Sequence, residues 1–125
     1  MSIIPICKDH LIPVYTKNRG ASESTEFSMT RFLTPYLSDF EGISLFVDCD
    51  VIFRADPHDL MAYAVAYSDT AVFVVKHDYT PRGEKKFLNQ PQLKYAKKNW
   101  TSVMPFNNEL CKALTPEYIN RVGGL

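Results

Sequence analysis

Asp48-Cys49-Asp50 is the stretch of this sequence best equipped for chemistry. Its two carboxylates follow Ile43-Ser44-Leu45-Phe46-Val47, a continuous apolar run of the kind found in strands buried on both faces. In open α/β sheets ligands bind beyond the carboxyl ends of the strands, so a site is expected here. On a continuing strand residues i and i+2 point the same way, and a turn can also bring them together. Like charges held that close repel unless a cation or a proton lies between them. A hard divalent ion, Mg²⁺ or Mn²⁺, held by carboxylates and substrate phosphates meets that need. The plainer alternative is a pair of solvated aspartates at a strand end.

Two uses of this spacing are tested by the residues that follow. A calcium-binding EF-hand loop needs an acid or amide at its fifth position, glycine at its sixth and glutamate at its twelfth. Here those positions hold Ile52, Phe53 and Asp59, so that reading fails. An aspartate-nucleophile phosphatase would use Asp48 to attack phosphorus and Asp50 as the acid, but it needs later acids and a lysine to complete its site. After Asp78 the acids are Glu84, Glu109 and Glu117 alone, which leaves that reading weak.

Several elements must position these groups. Residues 2–6 read as a short apolar strand. Ser24 or Thr25 can cap a helix whose apolar face is Met29, Phe32, Leu33, Tyr36, Leu37 and Phe40, interrupted near Thr34 by Pro35 and ended by Gly42. The strand 43–47 follows, then a short apolar piece, Val51-Ile52-Phe53. Asp56-Pro57-His58-Asp59 starts a helix that runs to about Tyr67. Residues 71–76 read as a third strand. Residues 102–106 read as another, which Pro105 demotes to an edge or a strand end. Thr115-Pro116-Glu117 opens a final helix. Alternating strands and helices predict an α/β fold with a mostly parallel sheet flanked by helices.

Length and composition set the outer bounds. The chain has 125 residues, the size of one domain. Hydrophobic residues make up 46% and charged residues 22%, a globular balance. Fourteen basic side chains offset fourteen acidic ones, so overall charge gives no reason to expect nucleic acid or an anionic membrane as partner. No apolar run approaches the ~20 residues of a membrane span. The first residues lack the basic start and apolar core of a signal peptide. Cys7, Cys49 and Cys111 form neither a disulfide framework nor a zinc motif, and a reducing, cytoplasmic setting is expected. Charge is uneven along the chain. Residues 82–98 carry six bases, Lys85 and Lys86 among them, against Glu84 alone. With Pro81, Gly83 and Pro91 this stretch reads as a loop, either solvated or closing over a phosphate-bearing ligand.

Phe46-Val47-Asp48-Cys49-Asp50 followed by Asp56-Pro57-His58-Asp59-Leu60 resembles the D-x-D segment and following helix of GT-A fold glycosyltransferases, closest to family 8 and related bacterial glycosyltransferases. Four further stretches are similar to segments of that family in the same order: 21–37, 75–79, 98–108 and 113–118. The resemblance implies a truncated GT-A-like, Rossmann-like domain over residues 1–125. With about 20 residues ahead of Ser24 and no histidine after His77, it implies a domain lacking the family's first nucleotide-binding strand and its late metal-ligand segment.

The activity implied is transfer of a sugar from a nucleotide-sugar donor to an unspecified acceptor, with Asp48 and Asp50 holding Mn²⁺ or Mg²⁺ against the diphosphate; by the family pattern Asp50 is the direct ligand and Asp48 binds either the metal or the ribose. By the same resemblance Arg31 faces the donor and Asn107-Asn108 contact sugar hydroxyls. Their plainer roles are an ion pair with a nearby acid and turn formation or capping. His77 and Gln92 are further candidates, one for acid–base chemistry and one for donor or acceptor contact. Cys49 is expected to face the core. Two other functional readings stand beside transfer: an inactive fragment or binding module on the same scaffold, and the phosphatase.

Overall fold

The structure, a computed structural model, describes residues 2–18, 28–77 and 100–122. Its centre is one pair of strands far apart in sequence. The run of Ile43–Val47 (β1) pairs with Val103–Asn107 (β2) in antiparallel register, Ile43 opposite Asn107 and Val47 opposite Val103. The bonds from Asn108 N–H to the Gly42 carbonyl (3.0 Å) and from Asp48 N–H to the Ser102 carbonyl (2.9 Å) close the two ends of this ladder.

The even-numbered residues of β2 therefore bond to β1, and its odd-numbered residues face the other way. On that side Asn107 N–H donates to the Ala71 carbonyl and Phe73 N–H to the Pro105 carbonyl, both at 2.9 Å. Proline has no N–H with which to return a bond to Phe73. Pairing there shrinks to a single antiparallel bridge, Val72 to Phe106.

Three expectations are corrected by this arrangement. The mostly parallel, GT-A-like (Rossmann-like) sheet is not formed: among the described residues the sheet has two strands, and they are antiparallel. An apolar run reports that a strand is buried, but says nothing of its neighbour's direction. Residues 71–76 make a bridge instead of a strand, because Pro105 interrupts the ladder. Residues 2–6 form no strand, and Ile3 and Ile4 are exposed. Val51 and Ile52 likewise lie outside any strand.

Around the strands, among the described residues, are three short helices: α1 (Thr34–Leu37), α2 (His58–Ala66) and α3 (Pro116–Arg121). A 3-10 turn over Thr30–Leu33 leads into α1, so the change of helix type falls at Thr34, beside Pro35. Helix α1 ends as a Schellman motif. Phe40 N–H reaches back to the Pro35 carbonyl (2.8 Å) and Asp39 N–H to that of Tyr36 (3.0 Å), with Asp39 left-handed at φ 54°. Gly42, at φ 63°, then turns the chain into β1.

Helix α2 has Asp56 as its N-terminal acceptor, with the Asp56 carboxylate 2.9 Å from His58 N–H. Helix α3 has Thr115, whose hydroxyl accepts from Tyr118 N–H at 3.2 Å.

Among the described residues burial is concentrated in two clusters. One joins Leu11, Tyr15, Met29, Leu33 and Ile119, bringing both ends of the described chain together. The Asn120 side chain fastens this closure, accepting from Thr16 N–H and donating to the Val14 carbonyl, both at 2.9 Å. The other cluster packs Met104, Phe106 and Cys111 under Phe32 and Phe46. Helix α2 packs against both strands and enters neither cluster, which puts it on the opposite face of the sheet. Burial pushes the Cys111 thiol pKa up.

Asn108 ties three elements together. It is fully buried, and its amide donates to the Glu41 carbonyl (2.7 Å) and the Ser44 hydroxyl (2.8 Å), with Ser44 in turn 2.7 Å from Ser38 Oγ. Asn108→Ala orphans buried acceptors, so it should destabilise the fold by about 2–3 kcal/mol. Urea denaturation at constant m-value would measure this, and a change under ~0.5 kcal/mol would show that water replaces the amide.

Candidate functional site

The C-terminal end of β1 carries a polar arrangement that joins three separate stretches of the chain. Arg31, in the 3-10 turn before α1, reaches across to it. Its Nη2 lies 3.1 Å from Asp48 Oδ1, and both side chains are mostly buried, at 15% and 26% exposure. Nη1 donates to the carbonyl and to the hydroxyl of Thr101, each at 2.8 Å, and Nε donates to the Ser28 carbonyl at 2.9 Å. The guanidinium also sits over the Phe46 ring, 5.1 Å from its centroid. Phe46 and Asp48 are two apart on one strand and so share a face, which lets one planar cation engage both.

After Asp48 the strand stops. Val51 N–H donates back to the Asp48 carbonyl at 3.2 Å, and Cys49 and Asp50 lie exposed in the turn. Cys49 therefore does not face the core, because the alternation of a strand ends one residue before it. Asp50 is open to solvent, while Asp48 is held by Arg31. Among the described residues no group of three or more histidine, cysteine, aspartate or glutamate side chains is placed to hold a metal ion. Two oxygen donors leave most of an Mg²⁺ or Mn²⁺ shell to water and phosphate, so the donor set fits a hard ion only together with a phosphate-bearing ligand.

The other predicted residues are dispersed. Both asparagines are buried and spend their amides inside the fold. Asn107 donates to the carbonyls of Tyr67 (3.2 Å) and Thr70 (2.6 Å), and Asn108 is placed as described above. Both amide N–H₂ groups donate within the fold, as in the plainer reading of these residues. His77 is exposed, and its carbonyl accepts from the Trp100 indole N–H at 3.0 Å. Gln92, Lys85, Lys86 and the rest of the basic stretch 82–98 lie outside the described residues.

Thr101 and Ser28 are partners of Arg31 that the sequence reading missed. Thr101 is 70 positions from Arg31, and only the β1–β2 register carries it to the end of β1. Phe46 was legible in principle from strand periodicity.

Comparison with known proteins places this geometry in a sparse setting. No protein-family model matches the chain, and no solved structure does. Protein CDI of Arabidopsis thaliana is 40% identical over 128 aligned residues, covering 99% of this chain and 49% of that protein. The chain thus spans about half the length of the curated relative it matches. The resemblance to GT-A glycosyltransferases is overturned: no glycosyltransferase family is matched, and the antiparallel pair of strands is not that fold's sheet. Short motifs in order, D-x-D included, are compatible with more than one fold. No helix among the described residues is long and apolar enough to cross a membrane.

Two outcomes test these interactions. Arg31→Ala should destabilise the protein by about 2–4 kcal/mol in urea denaturation, because it strands a mostly buried carboxylate and the Thr101 carbonyl. Arg31→Lys should recover less than half, since an ammonium cannot reproduce the fork. At α2, the Asp56 carboxyl is held below the usual carboxylate range by the His58 backbone N–H and then by its imidazole, with Nδ1 at 2.7 Å. A depressed carboxylate stabilises the fold above its unfolded pKa and loses that contribution as pH falls through the folded value. The His58 backbone amide should therefore exchange faster as pH drops below the ordinary carboxylate range, after correction for intrinsic exchange. In Asp56→Asn that pH dependence should vanish.

Proposed function

We propose that this chain carries the diphosphate-binding part of an enzyme that transfers a sugar from a nucleoside-diphosphate sugar to an acceptor hydroxyl. The observation that supports it best is the strand-end trio, Asp48 with Arg31 at 3.1 Å and Asp50 exposed in the adjoining turn. In such a transfer the bond from the anomeric carbon to the diphosphate oxygen breaks and a bond to the acceptor oxygen forms, the acceptor giving up its proton. Negative charge grows on the leaving diphosphate, and groups fixed beside it stabilise that charge. A bound Mn²⁺ or Mg²⁺ would supply Lewis-acid stabilisation to that diphosphate. Asp50 offers the open carboxylate oxygens for the ion. Arg31 orients Asp48 and adds a positive field at the same strand end.

The residues 82–98 belong to the reading as a basic stretch able to close over phosphates. A cytoplasmic compartment belongs to it as well, in keeping with Cys7, Cys49 and Cys111 as free thiols. Because the relative is about twice as long, the acceptor and any further catalytic groups are sought in the longer protein type.

A binding module without turnover is favoured by one specific observation: Asp48 is already neutralised by Arg31, and the amides of Asn107 and Asn108 are used within the fold. Calorimetric titration with Mn²⁺, with and without uridine diphosphate, separates the two. Transfer chemistry predicts that the nucleotide strengthens Mn²⁺ binding by about tenfold or more, and that Asp50→Ala abolishes the gain. Equal heats in wild type and Asp50→Ala, or none under any condition, would count for the module.

A further inference from the structure

β1 has the composition of a strand from the middle of a sheet, yet among the described residues it lies at an edge. Ile43, Leu45 and Val47 fall on one face and Ser44 and Phe46 on the other, and all five are half-buried. Residues on the second face meet the core beneath Phe46, and α2 covers the first. Both faces are thus sheltered, as in sheets of several strands. A two-stranded pair by itself is marginal in water.

The register decides which backbone groups remain. Gly42, Ser44, Phe46 and Asp48 bond toward β2, so the N–H and C=O groups of Ile43, Leu45 and Val47 point away from it. No backbone partner is recorded for those groups among the described residues.

Natural proteins blunt an exposed edge with charge, proline or a bulge. The opposite edge of this sheet is treated so: Pro105 cuts its pairing to one bridge, and Lys76 follows at its end. Ile43–Val47 contains no charged residue and no proline, and its pairing with β2 is regular through all five positions. An unguarded apolar edge invites a further strand.

The geometry points to β1 as the docking edge for an added β-strand, contributed by the part of the longer protein type that lies outside the region matched by this chain. The occupant follows from proportion. Almost all of this chain aligns with the Arabidopsis relative, yet 51% of that protein lies outside the alignment, and that remainder must pack against the matched half or stand apart from it. Main-chain hydrogen bonds would supply affinity, and the register would be set by apolar side chains alternating against Ile43, Leu45 and Val47. The inference does not depend on the proposed sugar transfer, and no nucleotide or metal enters its test.

The test is amide hydrogen exchange at single-residue resolution. This chain is measured alone and compared with the aligned segment inside the intact Arabidopsis relative. Alone, Ser44, Phe46 and Asp48 amides should be protected, while Ile43, Leu45 and Val47 exchange quickly. In the intact relative the amides aligned with those three should be slower by about a hundredfold or more. Protection gained instead at the positions of Val72 and Val74 would overturn the proposal in favour of the other edge. Equal exchange at the three positions in both proteins would overturn it too. So would outward amides already protected in the chain alone, because β1 would then have its partner within these 125 residues.

Discussion

The guanidinium of Arg31 is the contact on which the site end of the molecule depends. It gathers three pieces of chain that have no local reason to meet: the 3-10 turn before α1, the end of β1 at Asp48, and Thr101 just before β2. A mostly buried cation must satisfy its donors, and here Nε, Nη1 and Nη2 each have an acceptor while the aromatic face of Phe46 lies below. The same contact limits what Asp48 can do. A carboxylate already paired at 3.1 Å is a structural group first, and it becomes a ligand for anything else only by sharing or exchanging that partner.

Buried polar groups do much of the specifying beside the two small apolar clusters of the described residues. Asn107 and Asn108, consecutive in sequence, point their amides in different directions, one to the carbonyls after α2 and the other to the turn before β1. Consecutive residues at a strand end necessarily face opposite sides, so one dipeptide ties both flanks of the sheet. Asn120 performs the equivalent task for residues 14–17. Asn120 uses donor and acceptor together, whereas Asn107 and Asn108 act through their N–H₂ groups, and the Asn108 amide oxygen is buried without a hydrogen-bond partner among the described residues.

Pro105 shapes the sheet by omission. It sits where β2 has neighbours on both sides, and its missing N–H falls on the side of residues 71–73. The ladder to β1 is untouched, since that ladder uses the even-numbered residues. A proline in a strand is thus compatible with a central position when the absent donor faces the weaker neighbour.

What the sequence determined by itself was local. The apolar run 43–47, the Asp56-Pro57 and Thr115-Pro116 helix starts, the interruption at Pro35 and the turn at Gly42 all rest on the chemistry of adjacent residues, and each has its counterpart in the structure. Asp48 was legible as a notable residue from its place after a strand, whereas Arg31 stood out through a resemblance that the structure overturns, with an ion pair to a nearby acid as its plainer role. Tertiary structure alone decided that β1 and β2 run antiparallel, that Asp48 is Arg31's partner, and that the asparagines face inward. Strand direction, ion-pair choice and side-chain burial depend on groups 17 to 70 positions apart, and neither periodicity nor capping carries information across such distances.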